Sequence, residues 1–313
     1  FNPSDTTLQL FTIFAQDTIA LQPNRLFLTA GTKVENSYFT GYDFDPSVRL
    51  AWTPNNTMTI WAAVSRASRS PDRRDTDLNA ALAAFPDPGG SNTPVEVVLF
   101  GNPKFMDEHV VAYEAGFRTQ PNSRLSVDVS TFFNRYDHLQ SLEPGARVFQ
   151  PIPAPARYLV PITFGNMMYG STDGGEISMN FKLTDRWTVS PGYAFLEMHL
   201  HLKPTSQDTS SVAEDQGSSP QNQVQLRSHV DLSHGLLWDA SAYFVSALPV
   251  QGVPSYTRID TQLRWKFAER GEISLVGQNL LRDTHLESMD QLTLVNSSLM
   301  KRSAYAKFTY RFW

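Results

Sequence analysis

Apolar and polar residues alternate with a period of two along most of this chain. In residues 301–313, Ala304, Ala306, Phe308, Tyr310 and Phe312 alternate with Ser303, Lys307, Thr309 and Arg311. The clearest second case alternates Ile259, Leu263, Trp265 and Phe267 with Arg258, Asp260, Gln262, Arg264 and Lys266. Successive side chains of a β-strand point to opposite faces, so each stretch predicts a strand with one apolar and one polar face.

The same pattern predicts thirteen strands in all, most of them about 10–13 residues long. They begin near residues 7, 26, 48, 58, 111, 125, 177, 187, 224, 238, 259, 273 and 301. Tight turns near residues 23, 55, 121, 185, 234 and 270 alternate with longer connections. A tilted membrane-spanning strand needs about 9–11 residues, whereas strands of soluble proteins average five or six. The pattern therefore predicts an all-β fold, an antiparallel transmembrane β-barrel with short periplasmic turns and long extracellular loops.

The longer connections are predicted from composition. Residues 36–45 form a short polar link, and residues 66–105, rich in Arg, Asp, Pro and Gly, are predicted as a long structureless loop of functional importance. Residues 138–161 form a Pro-rich link, and we expect Gly174-Gly175 to break the stretch that follows. Residues 203–221 are a polar loop, and a loop of about twenty residues precedes the last strand.

Composition narrows the function classes. The 313 residues are 41% hydrophobic and carry a formal net charge of −5, which suits one large barrel and disfavours a nucleic-acid partner. No run of 18 apolar residues occurs, and residues 1–20 show no signal peptide, so we expect a mature chain or a fragment. The chain has no cysteine, which excludes disulfides, thiol catalysis and cysteine-ligated zinc.

Alternation alone also fits a soluble sandwich or propeller, in which the apolar face is the core. Strand length, the asymmetry of the two rims and the terminal aromatic residues favour the membrane barrel. In that interpretation the polar face lines a lumen, formed in part by Arg227, His229, Asp231, Arg258, Asp260, Gln262, Arg264 and Lys266. Aromatic residues at strand ends, Trp52, Trp187, Trp238, Trp265, Phe267 and Tyr310, are candidates for the interfacial girdles.

Five local patterns carry a resemblance to a known family. They are Phe14-Ala15-Gln16-Asp17, Ser65-Arg66-Ala67-Ser68-Arg69-Ser70-Pro71, Tyr113-Glu114-Ala115-Gly116-Phe117-Arg118, Gly277-Gln278-Asn279-Leu280-Leu281-Arg282-Asp283 and the ending Phe312-Trp313. In their order and spacing the chain resembles the C-terminal part of the β-barrel of TonB-dependent outer-membrane receptors. One departure is that Trp313 lies one residue beyond the usual aromatic ending.

The resemblance implies about 13 strands of a 22-stranded barrel with a plugged lumen. The plug, its coupling box and the early strands are missing, and an odd strand number cannot close a single-chain bacterial barrel. We therefore expect residues 1–313 to be a C-terminal barrel fragment of a receptor for energised uptake of a scarce ligand, most commonly a ferric siderophore. A passive porin or adhesin barrel is the alternative, and a soluble β-rich binding protein is a third hypothesis.

The family also implies partners and a location. These are outer-membrane lipid of a Gram-negative cell, the inner-membrane TonB complex acting through the missing plug, and a small-molecule ligand. The barrel assembly machinery is expected to read Phe308, Tyr310, Phe312 and Trp313. No cofactor is expected.

The predicted outer connections contain the candidate ligand-binding residues. Guanidinium groups bind anionic chelates well, so Arg66, Arg69, Arg73 and Arg74 are candidates, with a solvated loop paired to counter-ions as the alternative. Tyr38 and Tyr42 are further candidates. The nearby Asp43 and Asp45 form either a calcium site or, more simply, a polar turn.

Two further sets of residues have side chains suited to metal binding or catalysis. His199 and His201 share a strand face as two metal ligands could, but no third ligand is evident and no metal site is predicted. The chain lacks a Gly-x-Ser-x-Gly elbow, a phosphate loop and a His-Glu-x-x-His motif, and Ser228 and His229 point to opposite faces. We therefore do not expect an enzyme.

Overall fold

The computed structural model describes residues 1–289 and 297–312. Within these residues it contains eighteen strands and two short helices. In chain order they are β1 (Leu10–Gln22), β2 (Leu26–Ser37), β3 (Gly41–Asn55), β4 (Met58–Arg69), α1 (Arg73–Asp77), β5 (Asn79–Phe85), β6 (Val95–Phe100), β7 (Glu108–Asn122), β8 (Leu125–Pro144), β9 (Val148–Gln150), β10 (Arg157–Thr184), β11 (Trp187–Leu202), α2 (Ser211–Gln216), β12 (Asn222–Ser233), β13 (Leu236–Val245), β14 (Tyr256–Ala268), β15 (Gly271–Gln278), β16 (Thr284–Ser288), β17 (Ser298–Lys301) and β18 (Ser303–Tyr310).

Thirteen of these strands form one antiparallel path, β1-β2-β3-β4-β7-β8-β10-β11-β12-β13-β14-β15-β18. This is the number of strands that the alternation predicts. The six predicted tight turns join β1 to β2, β3 to β4, β7 to β8, β10 to β11, β12 to β13 and β14 to β15, all at one rim. The other rim carries all the long connections, and one short one of three residues between β2 and β3. Rim asymmetry of this kind is typical of outer-membrane barrels.

The two faces of the path differ as predicted. The register places large apolar side chains on one face, where many stay exposed, among them Val48, Leu50, Val64, Tyr113, Phe133, Ile177, Leu226, Leu263, Leu275 and Phe308. Leu263 is 37% exposed and Phe308 is 66% exposed. A soluble sandwich would bury this face in a core, so the exposed apolar face contradicts that alternative.

The predicted structureless loop at residues 66–105 is wrong. β4 continues to Arg69, and α1, β5 and β6 follow within the same stretch. β6 pairs in parallel with the first residues of β10, from Tyr158↔Val95 to Thr163↔Phe100. These pairings extend the sheet beyond the thirteen-strand path, because apolar residues such as Val95 and Val98 become buried there.

The predicted break at Gly174-Gly175 is also wrong. β10 runs unbroken through both glycines, paired with β8 on one side and β11 on the other. A Cβ atom on Gly174 would lie 2.2 Å from the carbonyl oxygen of Phe195 and 2.8 Å from the ring of Phe132. The glycines therefore allow the neighbouring strands to pack closely against a continuous β10. The predicted link at residues 138–161 is likewise shorter, because β8 extends to Pro144.

The described sheet is open. β1 and β18 each pair on one side only, with β2 and β15 respectively. Because the path has thirteen antiparallel strands, β1 and β18 run in the same direction. Neither of the two helices is long and apolar enough to cross a membrane.

Candidate ligand-binding site

The candidate site lies at the rim with the long connections, on the polar side of the sheet. The chain between β6 and β7 crosses this side of β10. Asn102 Nδ2 donates to the Phe164 carbonyl at 3.0 Å, and the Met106 amide donates to Asn166 Oδ1 at 2.8 Å. Phe105, Phe164 and Met168 are buried in this region. The long connection is therefore packed as an ordered layer against the wall.

Helix α1 starts at a capping box. The Asp72 carboxylate accepts hydrogen bonds from the backbone N–H groups of Arg74 and Asp75, and the Asp75 carboxylate accepts one from the Asp72 N–H. Asp75 is completely buried, and it also accepts Arg69 Nη1 at 2.8 Å and Gln140 Nε2 at 3.0 Å. One carboxylate thus joins α1 to the ends of β4 and β8.

Arg66 and Arg69 are held by carboxylates at hydrogen-bonding distance. Arg66 Nη1 donates to Asp43 at 2.9 Å and to Asp45 at 3.2 Å, and its Nη2 contacts His109 Nδ1 at 2.9 Å. Arg69 donates to Asp75 and, at 2.6 Å, to Glu108. In the structure these guanidinium groups join loops and strands to one another.

The remaining two arginines lie on α1. Arg73 Nε donates to Asp77 at 3.0 Å, and its guanidinium lies 4.8 Å from the ring centroid of Phe1. The Arg74 side chain is 58% exposed. It donates to Gln140 Oε1 at 3.3 Å and lies 5.6 Å from the ring centroid of Phe164. Its Nε lies 4.0 Å from Asp75 Oδ1, beyond hydrogen-bonding distance, so Arg74 keeps most of its N–H donors available at the rim with the long connections.

The link that contains Tyr38 and Tyr42 differs in the structure from the polar link predicted from the sequence. Tyr38 is exposed beside the ring of Phe39. Tyr42 pairs with Asn36, on the same side of the sheet as Phe44 and Val48, so it lies on the apolar face. Asp43 and Asp45, considered for calcium, hold Arg66, and Asp45 also accepts Lys33 and Ser68.

The two histidines of β11 also differ from each other. His199 Nε2 lies 3.8 Å from a carboxylate oxygen of Asp173 and 3.8 Å from one of Glu197. His201 packs beside Tyr169, with 5.6 Å between the ring centroids. In the part of the chain that the structure describes, no group of three or more His, Asp or Glu side chains is arranged to hold a metal ion.

The predicted lumen-facing residues share one face of the sheet. Cross-strand pairs connect Arg227 to Ser241 and Asp260, and His229 to Asp239 and Gln262. Asp239 lies on the same face but is not among the lumen-facing residues predicted from the sequence. It bonds both His229, at 2.6 Å, and Arg264, at 2.8 Å. Its alternation with Trp238 and Ala240 is the signal that places it on the polar face.

A family model described as "TonB dependent receptor-like, beta-barrel" matches residues 1–280. The chain belongs to this family. A curated relative, "Probable TonB-dependent siderophore receptor PiuA" of Acinetobacter baumannii, is 25% identical over 191 residues, covering 56% of this chain and 21% of the relative.

Solved structures of this family have the same fold. The siderophore receptor PirA from Acinetobacter baumannii aligns with a TM-score of 0.73 at 13% identity, over 97% of this chain and 46% of that one. The ferric enterobactin receptor mutant R480A (PfeA) from Pseudomonas aeruginosa, in complex with enterobactin, aligns with a TM-score of 0.74 at 16% identity, over 97% and 45%. The chain thus spans less than half the length of these receptors.

Membership in the TonB-dependent receptor family explains the antiparallel all-β fold. TonB-dependent receptors are outer-membrane β-barrels, and the family and its structural neighbours are transport receptors. In this TonB-dependent barrel wall, Phe308 of the last strand stacks against Phe267, with centroids 6.2 Å apart, and Tyr310 contacts Phe312. Trp313, the last member of the predicted assembly signal, lies outside the described residues.

Proposed function

We propose that this chain is the C-terminal portion of the barrel of an outer-membrane receptor that takes up a ferric siderophore or a similar metal chelate by an energised route. Its family membership over residues 1–280 is the observation that carries the proposal. The relatives' names supply the siderophore as the candidate cargo. The ordered connections at one rim supply a surface that such a cargo could meet.

Within that surface, Arg74 is the side chain we assign to ligand contact. It is the most exposed of the four predicted arginines, and its guanidinium makes one hydrogen bond, to the neutral Gln140, and a long ion pair of 4.0 Å with Asp75. Anionic chelates are bound well by guanidinium groups that retain free donors. Arg66, Arg69 and Arg73 instead position the loops that present it.

The test uses the full-length receptor, purified in detergent, with a panel of ferric siderophores of catecholate, hydroxamate and carboxylate type. One member should bind, and Arg74→Ala should weaken its binding about tenfold, because a charge-assisted hydrogen bond is lost. Arg124→Ala is the matched control, since Arg124 is 57% exposed at the opposite rim and should leave binding unchanged.

Two results would overturn the proposal. Failure of every ferric siderophore to bind, with receptor production unchanged by iron starvation, would remove the siderophore as cargo. Equal binding by wild type and Arg74→Ala would remove Arg74 from the contact surface while leaving the cargo in place.

The proposal includes the partners of such a receptor. Energy comes from the inner-membrane TonB complex through a plug outside this chain, the assembly machinery reads the aromatic residues of β18, and outer-membrane lipid covers the apolar face. The rival, a passive pore formed by this chain alone, is disfavoured because β1 and β18 run in the same direction and cannot pair antiparallel with each other.

A further inference from the structure

Asp17 is a carboxylate in the middle of the apolar face of β1. On this strand the same face carries Phe11, Ile13, Ala15 and Ile19. On β2 the nearest residues of that face are Leu28, Ala30 and Thr32, with Asp17 directly opposite Ala30. Val48 and Leu50 follow on β3. These neighbours offer the carboxylate no cation.

The depth of Asp17 makes it unusual. It lies about 12 Å from the turn rim, at a rise of about 3.3 Å per residue and a tilt of about 40°. The apolar band of an outer-membrane barrel is about 25 Å tall, so Asp17 lies near its midplane. Other charged side chains that the register places on this face, such as Arg135, Asp173 and Glu197, lie toward the long-connection rim.

The carboxylate leans toward the free edge of β1. The Tyr38 amide donates to the Gln9 carbonyl, and the β1–β2 register then continues without a shift to Ala20. Odd-numbered backbone groups of β1 therefore face β2, and even-numbered groups face the free edge. The Thr18 N–H is one of these edge groups, and Asp17 Oδ1 accepts it at 2.7 Å.

A strand that pairs with this edge changes the environment of Asp17. The Thr18 N–H would be donated to a carbonyl of the new strand, and the carboxylate would lose its hydrogen bond. A charged group left alone at bilayer depth is costly, and such groups pair with one another or face a polar cavity. A new partner can come only from the added strand, because β2 supplies none.

We propose that the strand that pairs with the free edge of β1 carries a lysine or arginine on its lipid-facing side, and that this cation forms an ion pair with Asp17. The chain covers 45% of the enterobactin receptor structure, so a receptor of that size has enough further chain to supply the strand. The ion pair fixes the register at this junction, because a slip of one residue would move the cation to the other face. The proposal does not depend on the identity of the cargo.

The experiment measures the unfolding of the full-length receptor by urea in lipid vesicles. Asp17→Asn keeps the shape and removes the charge, and it should lower the folding equilibrium constant about tenfold or more, because the cation is left unpaired. Asp17→Lys combined with an aspartate at the basic position of the added strand should restore most of this loss. Ala15→Asn, on the same face, is the control for added polarity alone.

A change in stability of the opposite sign on Asp17→Asn would overturn the proposal. If Asp17 has no cationic partner, removing its charge makes the lipid-facing surface more apolar, so Asp17→Asn and Asp17→Leu would leave stability unchanged or raise it. A sequence of the added strand with no lysine or arginine at its lipid-facing positions would have the same consequence. A neutral hydrogen-bond donor at that place would also count against the ion pair.

Discussion

Asp45 joins two hairpins at a place where the backbone ladder ends. β3 and β4 pair from Asn55↔Met58 up to Ser47↔Ser65, and beyond that point no ladder connects them. Asp45 closes the gap by accepting Lys33 Nζ at 3.2 Å, Arg66 Nη1 at 3.2 Å and Ser68 Oγ at 2.6 Å. Its side chain is 6% exposed, so these bonds form away from bulk water.

Asp45→Asn is expected to destabilise the receptor by about 1–3 kcal/mol, because two cations lose their shared carboxylate. The largest loss of stability that we expect is smaller than for a fully buried ion pair, since Lys33 and Arg66 keep contact with solvent. Urea unfolding in lipid vesicles measures the change. Asp185→Asn is the control, because Asp185 is almost fully exposed beside Arg124 and should shift stability by less than about 0.5 kcal/mol. Equal effects of the two substitutions would refute this role of Asp45.

Asp215 gives the loop before β12 a pH dependence. The Asp215 side chain is exposed, but partial desolvation by the surrounding protein, with the negative charges of Glu214, Glu108 and Asp208 nearby, raises the pKa of Asp215 to about 6. Between pH 4 and 6 the folded loop therefore binds more protons than the unfolded chain, and its stability falls as pH rises through this range. The charge is fully destabilising above about pH 6.

Hydrogen exchange of residues 203–221 at pH 5 and pH 7, corrected for the intrinsic pH dependence of exchange, tests this. Local opening should be more frequent at pH 7, and Asp215→Asn should remove most of the difference. The effect should be no more than a few-fold, since the Asp215 side chain retains contact with solvent that screens the charges. Wild-type opening that is the same at both pH values, or higher at pH 5, would contradict the prediction.

At the residue scale, the sequence predicts which groups are charged and close in the chain, and little about their partners. The sequence predicts the arginine cluster because Arg66, Arg69, Arg73 and Arg74 lie within nine positions. Glu108 and Gln140, which complete the Arg69 cluster, come from other strands, and only the β4–β7 and β7–β8 registers bring them together. The Asp72-x-x-Asp75 spacing was available as a helix-start signal.

At the element scale, β10 shows where pattern reading succeeds and where it fails. The alternation around Ile177, Met179 and Phe181 predicts its second half correctly. Its first half has no clear alternation, because the connections fold onto it and bury both polar and apolar positions, such as Asn166 and Met168. Glycine lowers strand propensity on average, but pairing on both sides outweighs that preference here.

Gly174→Ala should destabilise the sheet by about 1–3 kcal/mol, because the added methyl group overlaps the Phe195 carbonyl and the Phe132 ring. Gly89→Ala, where the nearest atom is 3.5 Å away in an exposed loop, is the matched control and should be close to neutral. Thermal unfolding of the two variants beside wild type measures the difference. If Gly174→Ala left the thermal stability unchanged, β8 and β11 would be able to separate locally without a loss of stability, which would contradict the prediction.

At the scale of the whole molecule, the two open edges of the sheet follow from its number of strands. Thirteen antiparallel strands leave β1 and β18 parallel, so an odd number of further strands is needed to close an antiparallel wall. We therefore expect this chain alone, reconstituted in planar bilayers, to produce no stable single-channel currents. Steady currents from the purified chain would instead favour the passive pore. The control follows from the proposed function: a full-length receptor that adds the further strands to these thirteen.

The assignment of the faces can be tested at two adjacent residues of β14. Leu263 lies on the apolar face opposite Trp238, and Gln262 lies on the polar face opposite Asp239. If lipid covers the apolar face, Leu263→Arg in the full-length receptor should cost about 2–4 kcal/mol near the bilayer midplane, while Gln262→Arg beside the Asp239 carboxylate should cost less than about 1 kcal/mol. Urea unfolding in vesicles compares the two variants directly, because they place the same charge one residue apart. A larger cost for Gln262→Arg would show that the polar face meets the hydrocarbon, and the alternation would then have been assigned to the wrong sides of the wall.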